Sequence, residues 1–511
     1  MKVGDFVKIL MVYPSYPDTF WSFKYALKFV SKKASLPPLG LLTVASYLPN
    51  TWDVKLIDMN CEKLKDEDIK NADYVFISAM TVQRDSSIET IKKCNQFGIP
   101  VIAGGPLFTM EPDIFNDIVD YFVLGEAEDV MQDLIKDIEN KKVKRYYAKY
   151  NFCNINETPV PKWNLLNLKW YASMSIQYSR GCPYNCEFCD IGALAGRTPR
   201  QKSSEQVIAE IQSLYDAGWR KSIFFVDDNF IGNKAKLKKE ILPTLIKWQK
   251  EHKYPFSFYT EVSIDFADDD ELMNLMSESG FDRVFVGIET PDPDSLKEAN
   301  KYQNIKHDLE ASVHKIQSFG FDVQGGFIVG FDSDKPTIFN RQFNFIQESA
   351  IVTAMVGLLN APRGSQLYTR LRDEGRLIGE MTGDNVDAMT NIIPKMNIEV
   401  LVKEYKNLMN ELYSPSSYYK RLKEFLSIYK IPKFKKSRID FSEIMAFFKS
   451  IFLLGIFGRE RKEYWKLLTW SLFRKPKTFA SAVSFAIYGY HFRKIAEKLS
   501  KPTRKKKLSP A

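Results

Sequence analysis

Three cysteines fall within eight residues in Arg180–Cys189, RGCPYNCEFC. Cys182, Cys186 and Cys189 are spaced C-x₃-C-x₂-C, with the aromatic Phe188 just before the last. Thiolates in short loops are the usual holders of iron–sulfur clusters. Three of them can hold three irons of a four-iron, four-sulfur (4Fe-4S) cluster and leave the fourth open to chelate a second molecule. A structural zinc site normally takes four ligands, and no fourth cysteine or histidine lies nearby. The other cysteines, Cys61, Cys94 and Cys153, and the histidines, His252, His307, His314 and His491, are scattered. Zinc is therefore the weaker reading. A disulfide framework is not expected either, because the sequence shows no signal peptide and is far longer than disulfide-stapled domains.

A chain of 511 residues, 45% hydrophobic and 26% charged, should fold as two or three soluble domains. From residue 1 to about 145, apolar runs recur between helical segments: Lys8–Pro14, Asp53–Met59, Tyr74–Met80, Pro100–Pro106 and Tyr121–Glu128. That alternation predicts a doubly wound parallel α/β sheet. Ligands bind such sheets at the carboxyl ends of the strands, where Ser78, Thr81, Gly104, Gly105, Gly125 and Glu126 fall. Small residues there either admit a ligand to the backbone or serve tight turns.

Residues 165–375 repeat the alternation, with strands expected near 174–179, 222–227, 256–262, 283–288, 323–330 and 353–359. Six such units predict a partial (β/α)₆ barrel with its site at the C-terminal strand ends, and the cysteine loop follows the first strand. Ser203 and Gln206 form a capping-box pattern ahead of one helix. Ile305, Leu309, Val313 and Ile316 mark another, ending at Gly320.

Residues 385–511 read as a helical, basic region, with residues 400–428 reading as helical. From Lys430 to Ala511 there are 21 Lys and Arg against 5 Asp and Glu, while the first 429 residues carry 51 against 58. The apolar stretches Phe447–Phe457 and Thr478–Tyr490 are too short to span a bilayer, which takes about 20 residues. With Trp465, Trp470 and the surrounding bases, they suggest amphipathic helices on an anionic membrane surface or a solvated helical cap. Nucleic acid is the least favoured partner. The run Thr503–Lys507 is expected to be disordered.

RGCPYNCEFC resembles the signature of radical S-adenosylmethionine (SAM) enzymes. Val226–Phe230 (VDDNF), Gly287–Thr290 (GIET) and Gly325–Phe331 (GGFIVGF) match the supporting strand ends of that family. A doubly wound domain ahead of the barrel is similar to the cobalamin-binding subclass. Thr19–Pro49 and the basic tail resemble the branch of hopanoid C-methylases, bacteriochlorophyll-type methylases and tetraether-lipid ring synthases.

The resemblance makes Cys182, Cys186 and Cys189 the cluster ligands. It places Phe188, Asp227, Asp228, Glu261, Glu289, Gly326 and Gly330 near SAM, and the six N-terminal strand-end residues near cobalamin. Asp227 and Asp228 replace a Gly-Gly-Glu contact common in the family. No histidine precedes His252, so a lower cobalt ligand cannot come from the N-terminal domain. The implied activity is methylation of an unactivated carbon of an isoprenoid or hopanoid-type lipid. It would use an external electron donor of the flavodoxin or ferredoxin type, in the cytoplasm or at the inner membrane surface. Ring formation without methyl transfer is the alternative. A methylthiotransferase would usually carry a second three-cysteine cluster that this sequence lacks.

Overall fold

The apolar runs near the N-terminus become strands of a buried parallel sheet, each returning through a helix that covers one face. A computed structural model describes residues 6–149, 151–431 and 441–500. The basic run Thr503–Lys507 lies outside the described residues. Strands β1 (Lys8–Tyr13), β2 (Asp53–Asp58), β3 (Tyr74–Ser78), β4 (Val101–Gly104), β5 (Tyr121–Leu124) and β6 (Tyr146–Ala148) pair in the order 2-1-3-4-5-6. Every pairing is parallel. The order reverses beside β1, which opens a crevice at the carboxyl ends. Sequence reading did not anticipate β6, a three-residue edge strand with only Tyr147 buried.

The second sheet holds β7 (Met174–Ile176), β10 (Ile223–Phe225), β11 (Phe258–Val262), β12 (Phe281–Glu289), β13 (Asp322–Val329) and β14 (Ala354–Leu358), paired in sequence order and all parallel. Between β7 and β10, the two-residue strands β8 (Ser179–Arg180) and β9 (Arg200–Gln201) form an antiparallel ribbon. The ribbon closes the cysteine loop at its base. The register pairs Glu261 with Phe285, Gly287 with Gly326 and Gly326 with Met355, so these residues share the face lining the barrel interior.

The barrel is open between β7 and β14, and both edges are covered. The Tyr405 hydroxyl donates to the Val356 carbonyl at 3.0 Å, and the Tyr413 hydroxyl donates to the Ala354 carbonyl at 2.6 Å. On the other side, the amides of Ala172 and Ser173 donate to the carbonyls of Ala34 and Ser35, each at 3.0 Å. These bonds occupy strand edges that would otherwise invite pairing. The Thr19–Ser35 segment runs through the gap. Its Trp21 packs edge-on to Phe285 at 5.6 Å and donates to the Met355 sulfur at 3.0 Å.

Helix Ser204–Asp216 starts at the expected capping box, with both Ser203 and Gln206 hydrogen bonds formed. One expectation changes in detail. Ile305 belongs to a separate turn, Tyr302–Ile305, because Asp308 caps a new helix at Leu309–Ser318. The stretch 400–428, read as helical, folds as two helices, Ile398–Leu412 and Pro415–Ile428, because Ser414 caps the second and Pro415 cannot continue the first. Among the described residues no helix is long and apolar enough to cross a membrane.

Candidate functional site

Gly181 sets the cysteine loop. Its φ is +95°, and a side chain there would meet the carbonyl oxygens of Gly196 at 2.9 Å, Ala195 at 3.0 Å and Thr198 at 3.0 Å. Only glycine allows both the turn and the close approach. The loop is further fixed by the Cys182 amide, which donates to the Gly196 carbonyl at 3.2 Å, and by the Cys189 amide on the Cys186 carbonyl at 3.2 Å. All three cysteines are half-buried. Burial pushes the Cys189 thiol up to about 12 and raises that of Cys182. The uncomplexed Cys182 and Cys189 thiols are therefore held protonated, and metal binding must displace their protons.

A lysine that sequence reading missed faces these thiols. Lys301 binds Glu289 at 2.7 Å. Burial opposes its charge, but Glu289 and then Cys186 outweigh burial and hold its pKa above the usual lysine range. The Gln303 amide nitrogen lies 3.8 Å from the Cys186 sulfur. A buried cation and an N–H donor beside three thiols suit an anionic sulfur-ligated cluster. Among the described residues no three His, Cys, Asp or Glu side chains converge on one ion-sized position; thiolates that each hold a different iron need not.

The expected SAM residues divide into two kinds. Asp228 faces open space, and Glu261 is half-buried with no hydrogen-bond partner for its carboxylate among the described residues. Burial, reinforced by Asp228 and Asp227, pushes Glu261 up to about 8. Among the described residues Asp228 accepts a long bond from the Gly181 amide, 3.3 Å, and it lines a cavity between the two sheets.

The others are committed to the protein. Asp227 accepts from the Tyr178 amide at 3.1 Å and from the Ser179 amide and hydroxyl, so it anchors the chain entering the cysteine loop. Burial nevertheless lifts its pKa to about 7. Glu289 is paired with Lys301, and Gly287 leaves room for that pair. Gly326 accommodates the Phe285 ring, 2.7 Å from where a side chain would begin. Gly330, at φ +107°, donates its amide to Asp334 at 2.8 Å. Phe188 packs on Phe331 at 6.4 Å under the Lys301 ammonium.

At the N-terminal sheet, Gly105 has φ +89° and a side chain there would strike the Ser78 hydroxyl. A side chain on Gly104 would meet the Val123 carbonyl at 3.0 Å. Ser78, Gly104, Gly105, Gly125 and Glu126 line a cavity of about 560 Å³, but Thr81 does not. Thr81 instead begins a short turn pressed against Gly383. The Gly125 amide is satisfied by the Thr109 hydroxyl at 3.0 Å.

Glu126 binds a neighbour rather than open space. Burial would raise it, but the Arg200 guanidinium, with two bonds of 2.7 Å, and the Cys153 amide hold it at about 2. Arg180, immediately before the cysteine loop, binds Glu128 at 2.5 Å and approaches Glu126 at 3.4 Å. These pairs tie the β8–β9 ribbon at the base of the cysteine loop to the N-terminal sheet beside the cavity.

That cavity is shared. Its walls include the carboxyl ends of β3 and β4 on one side and Gln177, Val226 and Asp228 of the barrel on the other. None of the four histidines lines it; each bonds elsewhere, to Trp248, Asp268, Glu348 or Phe20. Small and apolar residues at the N-terminal wall suit a large, flat, mostly uncharged cofactor. The half-buried Asp228 on the barrel wall suits one carrying an ammonium or hydroxyls.

Comparison with known proteins agrees with this division. Residues 30–135 match the B12-binding domain, 176–336 the radical SAM superfamily, and 365–505 a domain of unknown function. An uncharacterised methyltransferase of Synechocystis is 39% identical over 96% of this chain and 92% of its own length. The hopanoid C-2 methylase of Rhodopseudomonas palustris is 36% identical over 81% of this chain and 78% of its own. The solved structure of a cobalamin-dependent SAM radical enzyme, OxsB, superposes with a TM-score of 0.61 over 97% of this chain and 80% of that one, at 16% identity. With Arg180 and Ile191, which flank the cysteine loop, and the B12-type crevice lining one cavity, and near full-length relatives of that kind, the chain belongs to the cobalamin-dependent radical SAM methyltransferases.

Proposed function

We propose that this enzyme methylates an unactivated carbon of an isoprenoid or polycyclic lipid of the hopanoid type. The observation that carries the reading is the single cavity bounded by both sheets, which brings the cysteine-loop side and the glycine-lined crevice to one substrate. The relatives named for hopanoid C-2 and C-3 methylation support the lipid class. When bound, the cluster, SAM and cobalamin supply a hydrogen-abstracting radical and a methyl donor; the protein orients them and excludes water.

Cys182, Cys186 and Cys189 hold the cluster, with the Lys301 charge beside them offsetting its negative charge. Asp228 and Glu261 offer acceptors to the amino group or ribose of SAM. Asp227 holds the loop in register, and Ser78, Gly104 and Gly105 form the floor for the corrin. Arg180 and Arg200 keep the two walls at a fixed separation, on which meeting of the two half-reactions depends. An external flavodoxin- or ferredoxin-type donor supplies the electron, and the enzyme works at the cytoplasmic face of the inner membrane.

The test is to express the enzyme with methyl-deuterated methionine and compare the lipids with those of a deletion strain. A lipid heavier by one labelled methyl is expected. A substrate altered only by a new ring or carbon–carbon bond, with no label, would overturn methyl transfer.

A further inference from the structure

Helix Phe441–Ser450 runs directly into a wider helical turn, Ile451–Ile456, and then reverses at Gly458 into helix Arg461–Arg474. One face of this hairpin is packed, through Ala446, Leu454, Leu467 and Leu468. The other is apolar and, among the described residues, uncovered. Of the 22 large apolar side chains exposed among the described residues, 11 lie between Phe441 and Phe473.

Phe441, Phe448, Phe452 and Ile456 recur at helical spacing along one stripe, and Phe457 at the tip is 68% exposed. The Trp465 indole donates to the Gly455 carbonyl at 3.0 Å, so the second helix extends the same surface. An apolar face this concentrated is a docking surface rather than ordinary surface scatter.

Charge decides what docks there. Residues 441–477 carry eight Lys and Arg against three Glu, and Arg459, Lys462 and Lys466 stand exposed around the tip. A second copy of the chain would bring these like charges face to face. An anionic lipid surface would meet apolar side chains with acyl chains and basic ones with phosphates.

We infer that the Phe441–Arg474 hairpin is a peripheral membrane anchor that inserts Phe448, Phe452 and Phe457 into an anionic bilayer surface. It sits at the N-terminal ends of the barrel strands, where the Lys221 ammonium reaches the Ser442 hydroxyl at 3.3 Å. The anchor therefore tethers the molecule from the end opposite the cysteine loop and does not line the mouth. This surface rests on the membrane placement proposed above but not on the chemistry.

The experiment is flotation of the full-length holoenzyme with phosphatidylcholine vesicles, with and without phosphatidylglycerol, in the absence of SAM and reductant. Failure here is thus separate from failure of methyl transfer. Binding is expected to the anionic vesicles and to weaken with salt. The triple variant Phe448→Asp, Phe452→Asp, Phe457→Asp should weaken it by more than about tenfold, with iron and cobalamin content unchanged. Lys462→Glu with Lys466→Glu should remove the preference for phosphatidylglycerol. The anchor is overturned if the wild type does not float with anionic vesicles, or if the aspartate variant floats equally well. A wild-type dimer that the aspartates split, without vesicle binding, would assign the face to a second copy instead.

Discussion

The two sheets present opposite chemistry to the cavity they share. The N-terminal sheet ends in Ser78, Gly104 and Gly105, where the wall is backbone and a side chain would collide with its neighbours. The barrel contributes Asp228 to that cavity, and its other strand ends carry Glu261 and the Glu289–Lys301 pair, groups costly to bury unless they meet a partner. One wall is shaped by omission of side chains and the other by excess charge. A neutral macrocycle and a small zwitterionic cofactor need these two kinds of wall, so damage to each should be separable.

The largest separation is expected from Cys186→Ala. Anaerobic iron analysis should fall from about four irons to almost none, with activity lost, because two thiolates do not retain the cluster. Cobalamin uptake should persist, since the B12-type crevice lies on the other wall. Retained iron would break the assignment of the loop.

Gly105→Val is the mirror experiment. At φ +89° the valine is strained by about 1–3 kcal/mol and its side chain enters the Ser78 hydroxyl. Cobalamin binding, read from its visible absorption, should be lost while the iron content stays near that of the wild type. Simultaneous loss of both would show that the walls are not independent.

A smaller effect is expected where the walls are joined. Arg180→Lys keeps the charge but loses the forked geometry that reaches Glu128, Glu126 and Gln177 together. Both cofactors should still load, yet methyl transfer should fall by about ten- to a hundredfold, because a misplacement of about 1 Å between reacting groups costs that much. Uncoupled SAM cleavage should continue, and its ratio to methylated product is the measurement that decides.

The sequence carried the parts of this arrangement that depend on local pattern. The cysteine spacing, the strand runs and the Ser203 capping box are each written within a few residues, and each appears where expected. What it did not carry depends on distant pairs. Lys301 is an unremarkable lysine until folding sets it against Glu289 and Cys186. Glu126 resembles a free strand-end acid until Arg200, 74 residues later, closes on it. Strand β6 pairs only because β5 offers an edge, and its YYA sequence has no pattern of its own. Asp227 reads as a cofactor contact because it sits at a strand end, but its carboxylate is spent on the loop backbone.

The acids at the barrel strand ends also set a pH dependence that the glycine wall cannot have. Glu261 is lifted by burial to about 8 in the folded protein, above its ordinary carboxyl value. The unfolded chain then releases this proton at lower pH than the folded one. The stabilising contribution is present below the ordinary carboxyl pKa and is lost as pH rises through about 8. For protein free of cluster and SAM, thermal unfolding should therefore move to lower temperature between about pH 5 and pH 9, by an amount Glu261→Gln reduces. In the wild type, adding SAM to the reconstituted enzyme should flatten the same profile if its ammonium pairs with the ionised Glu261. A profile that Glu261→Gln leaves unchanged would assign the alkaline loss to Asp227, which titrates near 7 and belongs to the loop support rather than to the wall.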